Sequence, residues 1–471
     1  MKKQVWGLLV LCLITIALAS QAWSVIGESW EQTVPRAKNS GQRTPIANTH
    51  EVKSFNAHAF AGSDKSEPRC ADTKVVNVTC PPYNAVPDDN RDDSRAIQAA
   101  MDALTLSGGT LFIPAGTYLF NNPLVIHKPV HLVGEGASTI LTHSRDLGTD
   151  GAANFIRIGG AAAVTQNVTL SDFTLQGPTG IDLRTVMIRI VSNVRGVIVR
   201  NLLFKNVSSS CVLVTGKSIE KIEISDNRAE EFYEQFVELG SGGISDVRIH
   251  HNVAKSTRGH PKLGSTEPFG IAFEPARSGE ITDVSIVGNQ VSFDGMSMTE
   301  LINTGGVSLS RGRSRAVPYL YRRISVQDNI IRKVGVGIRV QTLREGIVSH
   351  PGSVVISRNR IEGATNYGIQ VKLAEDDVHR DTASITENSV RGYSAQAHNR
   401  YDGIHLAGRG IGVEITGNEI LPVADRKDGY GRYGINIEPG IQNPVIRDNK
   451  IAGYLSGPIL NKAASGGRAG Q

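Results

Sequence analysis

The sequence predicts an all-β chain wound as a three-sided parallel β-helix, and three observations carry that reading. One short pattern recurs: "IEISDNRA", "VRIHHNVA", "VSIVGNQV", "ISVQDNII", "VVISRNRI", "VEITGNEI" and the shorter "VIRDNKI". Its copies start at Val168, Val197, Ile222, Val247, Val284, Ile324, Val354, Ala383, Val413 and Pro444, in steps of 29, 25, 25, 37, 40, 30, 29, 30 and 31 residues. A period near 30 with alternating apolar residues is too short for a propeller blade and lacks the spacing of helical repeats; it suits one turn of short strands. Third, Asn227, Asn252, Asn289, Asn329, Asn359, Asn388, Asn418 and Asn449 hold one place per copy. Stacked at the strand spacing of roughly 4.8 Å, their amides can hydrogen-bond along the stack, and asparagine tolerates the left-handed backbone of a sharp corner.

The chain opens "MKKQVWGLLVLCLITIALASQAWS": two lysines, an apolar run from Val5 to Leu18, then small residues. That layout predicts a secretory signal peptide over residues 1–22, cleaved after Ala19 or Ala22, and a periplasmic or secreted protein with no membrane attachment afterwards. Residues 23–68 are polar and aperiodic and are expected to be a flexible leader; residues 69–471 form a single domain. Export permits a disulfide between Cys70 and Cys80, whereas Cys211, in the strand-like "SSCVLVT", is expected as a buried free thiol. The formal charge of +5, or +3 once Lys2 and Lys3 leave with the signal, gives no reason to expect a nucleic-acid partner.

Ahead of the repeats, "DDSRAIQAAMDALTLSGG" predicts an amphipathic helix over about residues 93–106. Asp92 or Asp93 would cap it, Ala96, Ile97, Ala100, Met101 and Leu104 share one face, and Gly108-Gly109 ends it. "TLFIPAGTYLF", "PLVI" and "PVHLVGEG" follow as short strands between turns. A helix at this place would cover the first open sheet edge, as solenoid ends require. The regular asparagine-bearing turns are expected over about residues 168–455.

"YNAVPDDNRDDSRAIQAAMDAL", "GGTLFIPAGTYLF" and "PVHLVGEGASTIL", followed by the asparagine ladder, resemble the pectate-lyase-like superfamily of right-handed parallel β-helix proteins. Within it, the N-terminal segment is similar to that shared by rhamnogalacturonase-like, epimerase-like and tailspike-like members. The resemblance covers Tyr83 to the C-terminus and implies a polysaccharide partner laid along one parallel sheet. The Asp-Pro-His-Asp/Glu stretch typical of mannuronan epimerases is absent, as are the short motifs of polygalacturonases.

Each turn carries a second strand: "FVELG", "GIAFEP", "GVSLSR", "GIRVQT", "GIQVKL", "GIHLAG" and "GINIEP". With apolar residues inward, the outward column reads Glu238, Ala272, Ser308, Arg339, Gln370, His405 and Asn436. Two residues on, a second column reads Glu274, Ser310, Gln341, Lys372, Ala407 and Glu438. Tyr367, Tyr401 and Tyr433 recur just before these strands, placed to stack on sugar rings. The longest turns, "AKSTRGHPKLGSTEPF" and "SFDGMSMTELINTGG", bracket the face as candidate groove walls. Arg311 and Arg313, with Arg315, Arg322 and Arg323, form a basic segment that favours an acidic glycan.

Three functions stay open on this face. Hydrolysis needs two carboxylates several ångströms apart; Glu238 and Glu274, on consecutive turns and offset columns, would lie roughly 8 Å apart by strand geometry, a separation that fits inversion. Elimination or epimerisation of a uronate needs a cation on the substrate carboxylate and a base for the adjacent proton; Arg339 and Lys372 would supply the first, His405 or Tyr401 the second. A non-catalytic scaffold that binds glycan is the third. Gln341, Gln370, Tyr367, Tyr401, Tyr433, Glu438, Arg311 and Arg313 are the candidate substrate-binding residues. No cofactor is expected; Glu375, Asp376, Asp377 and Asp381 are a possible Ca²⁺ turn, although their spacing is not that of a known calcium loop.

Overall fold

A computed structural model describes residue 70 and residues 75–143, 153–178, 185–257, 268–274, 279–309, 319–341, 353–373, 382–395, 399–421 and 431–463. The signal and leader segments therefore lie outside the described residues. Three all-parallel sheets run the length of the described chain: sheet one has 13 strands, from Val75–Asn77 to Val445–Arg447, and sheets two and three have 12 each. Each turn visits them in the order one, two, three and winds right-handed, the hand that twisted parallel strands impose.

The predicted register holds across the repeats. Val168, Val197, Ile222, Val247, Val284, Ile324, Val354 and Ala383 are successive partners in sheet one, and all are buried. Stacking like residues in this way gives one continuous apolar core, to which every turn contributes inward residues from all three sheets.

The ladder forms at the corner between sheets one and two. Each Nδ2 donates to the next asparagine's Oδ1 at 2.9–3.0 Å, from Asn227 through to Asn449. The same Oδ1 also accepts the backbone N–H of the preceding asparagine, so these buried amides are satisfied. One expectation is corrected here. The left-handed residue is not the asparagine but its predecessor: Asp226, His251, Gly288, Asp328, Arg358, Glu387, Gly417 and Asp448 all have positive φ. The asparagine side chain must point along the stack into the interior, while its exposed neighbour turns the chain.

Helix α1 spans Ser94–Ala103 and buries Ile97, Ala100 and Met101. It ends sooner than the sequence suggested, because Leu104 is already extended. Of the two aspartates expected to cap it, Asp93 sits at the N-cap position but its side chain accepts the backbone N–H groups of Val86 and Leu119 instead, while Asp92 Oδ1 accepts the backbone N–H and the hydroxyl of Ser94, the first helical residue. Gln98 pairs with both backbone groups of Val125, in the first strand of sheet three, at 2.9 and 3.1 Å. The helix thereby satisfies an otherwise open edge. Cys70 and Cys80 are disulfide-bonded, and Cys211 is a buried free thiol.

Candidate active site

Sheet three carries the predicted face. Glu238, Ala272, Ser308, Arg339, Gln370, His405 and Asn436 are register partners on consecutive strands. The column extends backward through Leu213 and Arg189 to Arg157. Two residues further on, Gln341, Lys372 and Ala407 form the neighbouring column.

Six consecutive strands of this sheet, from Phe269–Phe273 to Gly431–Ile437, carry a glycine at the corner: Gly270, Gly306, Gly337, Gly368, Gly403 and Gly434. A Cβ at any of them would strike a sheet-two side chain of the next turn, Val291, Ile331, Ile361, Val390, Ile420 or Ile451 respectively. These glycines let the sheet-two aliphatics reach the corner and fix where the outward side chains begin.

The most elaborate chemistry lies toward the C-terminal end. Tyr367 and Tyr433 stand immediately before Gly368 and Gly434; in the turn between, Asp402 takes that place and Tyr401 moves back by one. Asp402 is wholly buried. Its Oδ2 accepts from His405 Nδ1 at 2.9 Å, Arg432 Nη2 at 2.7 Å and Asn436 Nδ2 at 3.0 Å. Its Oδ1 accepts from Arg432 Nε at 3.0 Å and the Tyr433 backbone N–H at 3.2 Å. Burial pushes the Asp402 carboxyl up, but the hydrogen bonds from His405, Arg432 and Asn436 and the Arg432 charge outweigh it and hold the group below its ordinary range.

An ionised carboxylate only accepts, so it fixes the His405 proton on Nδ1 and leaves Nε2 as the working nitrogen. Nε2 lies 3.5 Å from Glu438 Oε1. The Tyr367 ring packs 5.0 Å from the imidazole and 5.0 Å, edge to face, from Tyr401. Burial, then the Asp402 charge, raises the Tyr367 phenol, which therefore stays protonated as a donor. Guanidinium groups lie over the outer tyrosines, Arg400 on Tyr401 and Arg432 on Tyr433.

The structure thus brings together Tyr367, Gln370, Lys372, Tyr401, His405, Tyr433 and Glu438. Lys372 is on the strand beside His405, two residues further along. Arg339 lies two strands from His405 and turns its guanidinium over Phe269, 6.0 Å from the ring centroid. Glu238 and Glu274 form a separate pair on neighbouring turns, five and four strands from His405 respectively, and Ser210 Oγ donates to Glu238 at 2.9 Å. Between the two groups, Ala272 and Ser308 are wholly buried although their register faces outward.

Arg322 and Arg323 do not belong to this face. They lie in sheet one, paired with Glu280 at 3.4 Å and Asp283 at 2.6 Å. Arg311, Arg313 and the acidic turn at 375–381 lie outside the described residues, and of Gln341 only the backbone is described. Among the described residues, no group of three or more His, Cys, Asp or Glu could hold a metal ion. Asp402 and Arg432 were missed by sequence reasoning. The available signal was an acid in a slot that the flanking turns fill with tyrosine.

The model of the family described as rhamnogalacturonase A/epimerase, pectate lyase-like, matches residues 75–370. Mannuronan C5-epimerase AlgE1 of Azotobacter vinelandii is 34% identical over 103 residues, 20% of this chain and 7% of that protein. The chain spans only 6–10% of the length of the curated relatives it matches. Among solved structures, the A-module of the mannuronan C-5 epimerase AlgE4 of the same organism superposes with a TM-score of 0.56 at 18% identity, covering 82% of this chain and 98% of the module. The family 28 exopolygalacturonase of Yersinia enterocolitica gives 0.50 at 12% identity, covering 83% and 78%. At these identities, the structural likeness speaks to the fold.

Proposed function

Because the chain belongs to the rhamnogalacturonase A/epimerase, pectate lyase-like family, we propose that it binds an acidic polysaccharide along sheet three and removes the proton beside a uronate carboxyl group, with His405 as base. The observation that carries this reading is the buried Asp402 carboxylate, which fixes the His405 proton on Nδ1 and leaves Nε2, 3.5 Å from Glu438 Oε1, to take a proton, with the Tyr367 ring packed on the imidazole. The sequence lacks the Asp-Pro-His-Asp/Glu stretch of mannuronan epimerases, so a base has to come from elsewhere, and His405 is the imidazole on this face that a buried carboxylate orients.

In the step proposed, the substrate carboxylate pairs with Lys372, which stabilises the charge that develops as C5 loses its proton. His405 Nε2 takes that proton, and the imidazolium so formed is held between Asp402 and Glu438. For elimination, the electron pair forms the C4–C5 double bond, the C4–O4 bond breaks and the Tyr367 or Tyr401 phenol donates its proton to O4. For epimerisation, a proton returns to C5 from the opposite face. Gln370, directly beside His405 in register, supplies an amide for ring hydroxyls. Residues 1–22, read as a signal peptide, would place this chemistry outside the cytoplasm.

The test is incubation with polygalacturonate and polymannuronate in D₂O, following absorbance near 235 nm, deuterium at C5 by NMR, and new reducing ends. Absorbance indicates elimination, and deuterium without cleavage indicates epimerisation. A second reading, hydrolysis, is favoured by the diagonal placement of Glu238 and Glu274 on neighbouring turns, roughly 8 Å apart by strand geometry. Reducing ends with neither absorbance nor deuterium would replace the first reading with it.

A further inference from the structure

The two ends of the β-helix are finished differently. At the first turns, α1 buries Ile97, Ala100 and Met101 against the core, and its Gln98 satisfies the backbone of Val125 at the edge of sheet three. Val445–Arg447, Lys450–Ile451 and Tyr454–Asn461 hold the last strand of each of the three sheets, and no strand lies beyond them among the described residues. Three inward columns run out there: Ile415 is followed by Ile446, Ile420 by Ile451 and Ile435 by Ile459. The first of each pair is wholly buried, whereas Ile446 and Ile451 are only partly buried and Ile459 is 41% exposed. Of the eight large apolar side chains exposed among the described residues, Val445, Tyr454, Leu455 and Ile459 fall in this one turn, so the exposure is a patch rather than scatter. Its longest strand, "YLSGPILN", is also an edge without a single charge to guard it. Lys462 N–H donates back to Ile437, so by strand alternation Leu460 and Pro458 face the preceding strand as well, and the backbone groups of Ile459 and Asn461 lie on the free side. Arg447 and Lys450 fold back onto Glu414 and Glu419 of the preceding turn, at 3.6 and 2.7 Å. A contact over this end therefore buries no unpaired cation.

We infer that this end is an interface between two copies of the chain, packed end to end about a two-fold axis that crosses Tyr454–Asn461. The axis runs that strand antiparallel to its own copy, continues sheet three across the contact and lays the three end isoleucines of one copy over those of the other. Because α1 closes the opposite end, copies cannot add head to tail, and the assembly stops at two. The eight residues after Ala463, "ASGGRAGQ", hold no apolar side chain larger than alanine, so they cannot extend the isoleucine columns. From Val445 to Asn461 the turn is 17 residues long. At about 3.3 Å per residue its outline is roughly 56 Å, which with the outward side chains covers about 500 Å² per copy. About 1,000 Å² in all is the lower bound of a specific interface, which predicts a reversible dimer in the micromolar range rather than an obligate one. Nothing here rests on the reaction proposed for His405.

The test is sedimentation velocity of the purified protein across about 1 to 200 µM, with hydrogen exchange read at both ends of that range. A monomer–dimer equilibrium is expected, and the amides of Ile459 and Asn461 should slow as the dimer forms. Ile459→Lys should weaken the dimer at least about a hundredfold, because a two-fold contact carries each substitution twice. Leu455→Lys, at a position already exposed, should weaken it about tenfold with the unfolding transition of the dilute protein unchanged, which separates a lost contact from a lost fold. A protein that stays monomeric throughout, a dimer that neither lysine variant weakens, or one that forms while Ile459 and Asn461 exchange at the monomer's rate would each overturn the inference.

Discussion

Asp402→Asn is the sharpest perturbation of the candidate site, because it keeps the shape of the side chain and changes only its charge and one acceptor. In the native arrangement, five donors converge on two oxygens. An amide presents an NH₂ where one of those oxygens stood, so at least one donor faces another donor, at a cost of about 1 kcal/mol or more. Arg432 also loses its anion. Removing one partner of a fully buried pair costs about 3–5 kcal/mol, but Arg432 keeps 33% of its side-chain surface exposed, so its share is nearer about 2 kcal/mol. Together these predict a loss of about 3 kcal/mol in urea unfolding at pH 7. The Asp402 carboxyl lies below its ordinary value of 3.8 when folded. Its stabilisation is therefore present above pH 3.8 and lost as pH falls through the folded value, and the gap between parent and variant should close in that window. With the carboxylate gone, nothing holds the His405 proton on Nδ1, and kcat for proton abstraction should drop on the order of 10³–10⁴-fold, the scale of the corresponding aspartate-to-asparagine change in a serine-protease triad. Nitrogen NMR of the imidazole reads the tautomer directly. A variant that keeps its Nδ1–H tautomer and turns over within threefold of the parent would refute the role assigned to Asp402.

Three further outcomes test the scaffold. Asn359→Ala removes the acceptor for the Asn329 backbone and side-chain amides and the donor to Asn388; about 3 kcal/mol of stability should go, and a loss under about 1 kcal/mol would show the ladder to be incidental. Burial raises the Asp93 carboxyl to about 6, so its contribution is fully present below about 3.8 and lost as pH rises through about 6; Asp93→Asn should flatten that slope in unfolding titrations, and an unchanged slope would remove Asp93 as its source. Gly368→Ala would press a Cβ against Val390 and to 2.6 Å from the Gly403 carbonyl; it should cost about 2 kcal/mol or more in thermal unfolding, against about 1 kcal/mol for Gly412→Ala, where the only obstacle is a φ of +67°. Equal effects would show that the corner is not tightly packed.

The fold was legible because its signal is additive. Ten copies repeat the alternation and eight of them the asparagine, which together make a register that no single strand would specify. The outward column from Glu238 to Asn436 followed from that register. The reaction centre was half legible for the opposite reason. His405 stands out in the column, whereas Asp402 and Arg432 sit just before their strands, at the corner where side-chain direction does not follow strand alternation. Charge runs also misled: Arg322 and Arg323 look continuous with Arg311 and Arg313 in the sequence, yet they end on sheet one beside Glu280 and Asp283. The corner glycines of sheet three were visible in the quoted motifs, but their cause, the reach of sheet-two aliphatics into the corner, is a tertiary contact with no local signature.

Chain length varies unevenly around the helix, and that unevenness bears on where function lies. The corner from sheet one to sheet two is always two residues long, the turning residue and the asparagine or its equivalent, from Arg200–Leu203 through to Arg447–Lys450. The 37- and 40-residue turns take up their extra length at the two corners flanking sheet three, on either side of Phe269–Phe273 and Gly305–Leu309. An insertion at the asparagine corner would break a chain of buried amides and slip the register of every later column. An insertion beside sheet three leaves the ladder intact. The scaffold therefore confines variation to the rims of the same face that carries Arg157, Glu238, Lys372 and His405. A face flanked by the variable corners is where differences in ligand can be accommodated without cost to the core, and this physical argument, independent of any likeness to other proteins, selects sheet three over the charged but regular surfaces of sheets one and two.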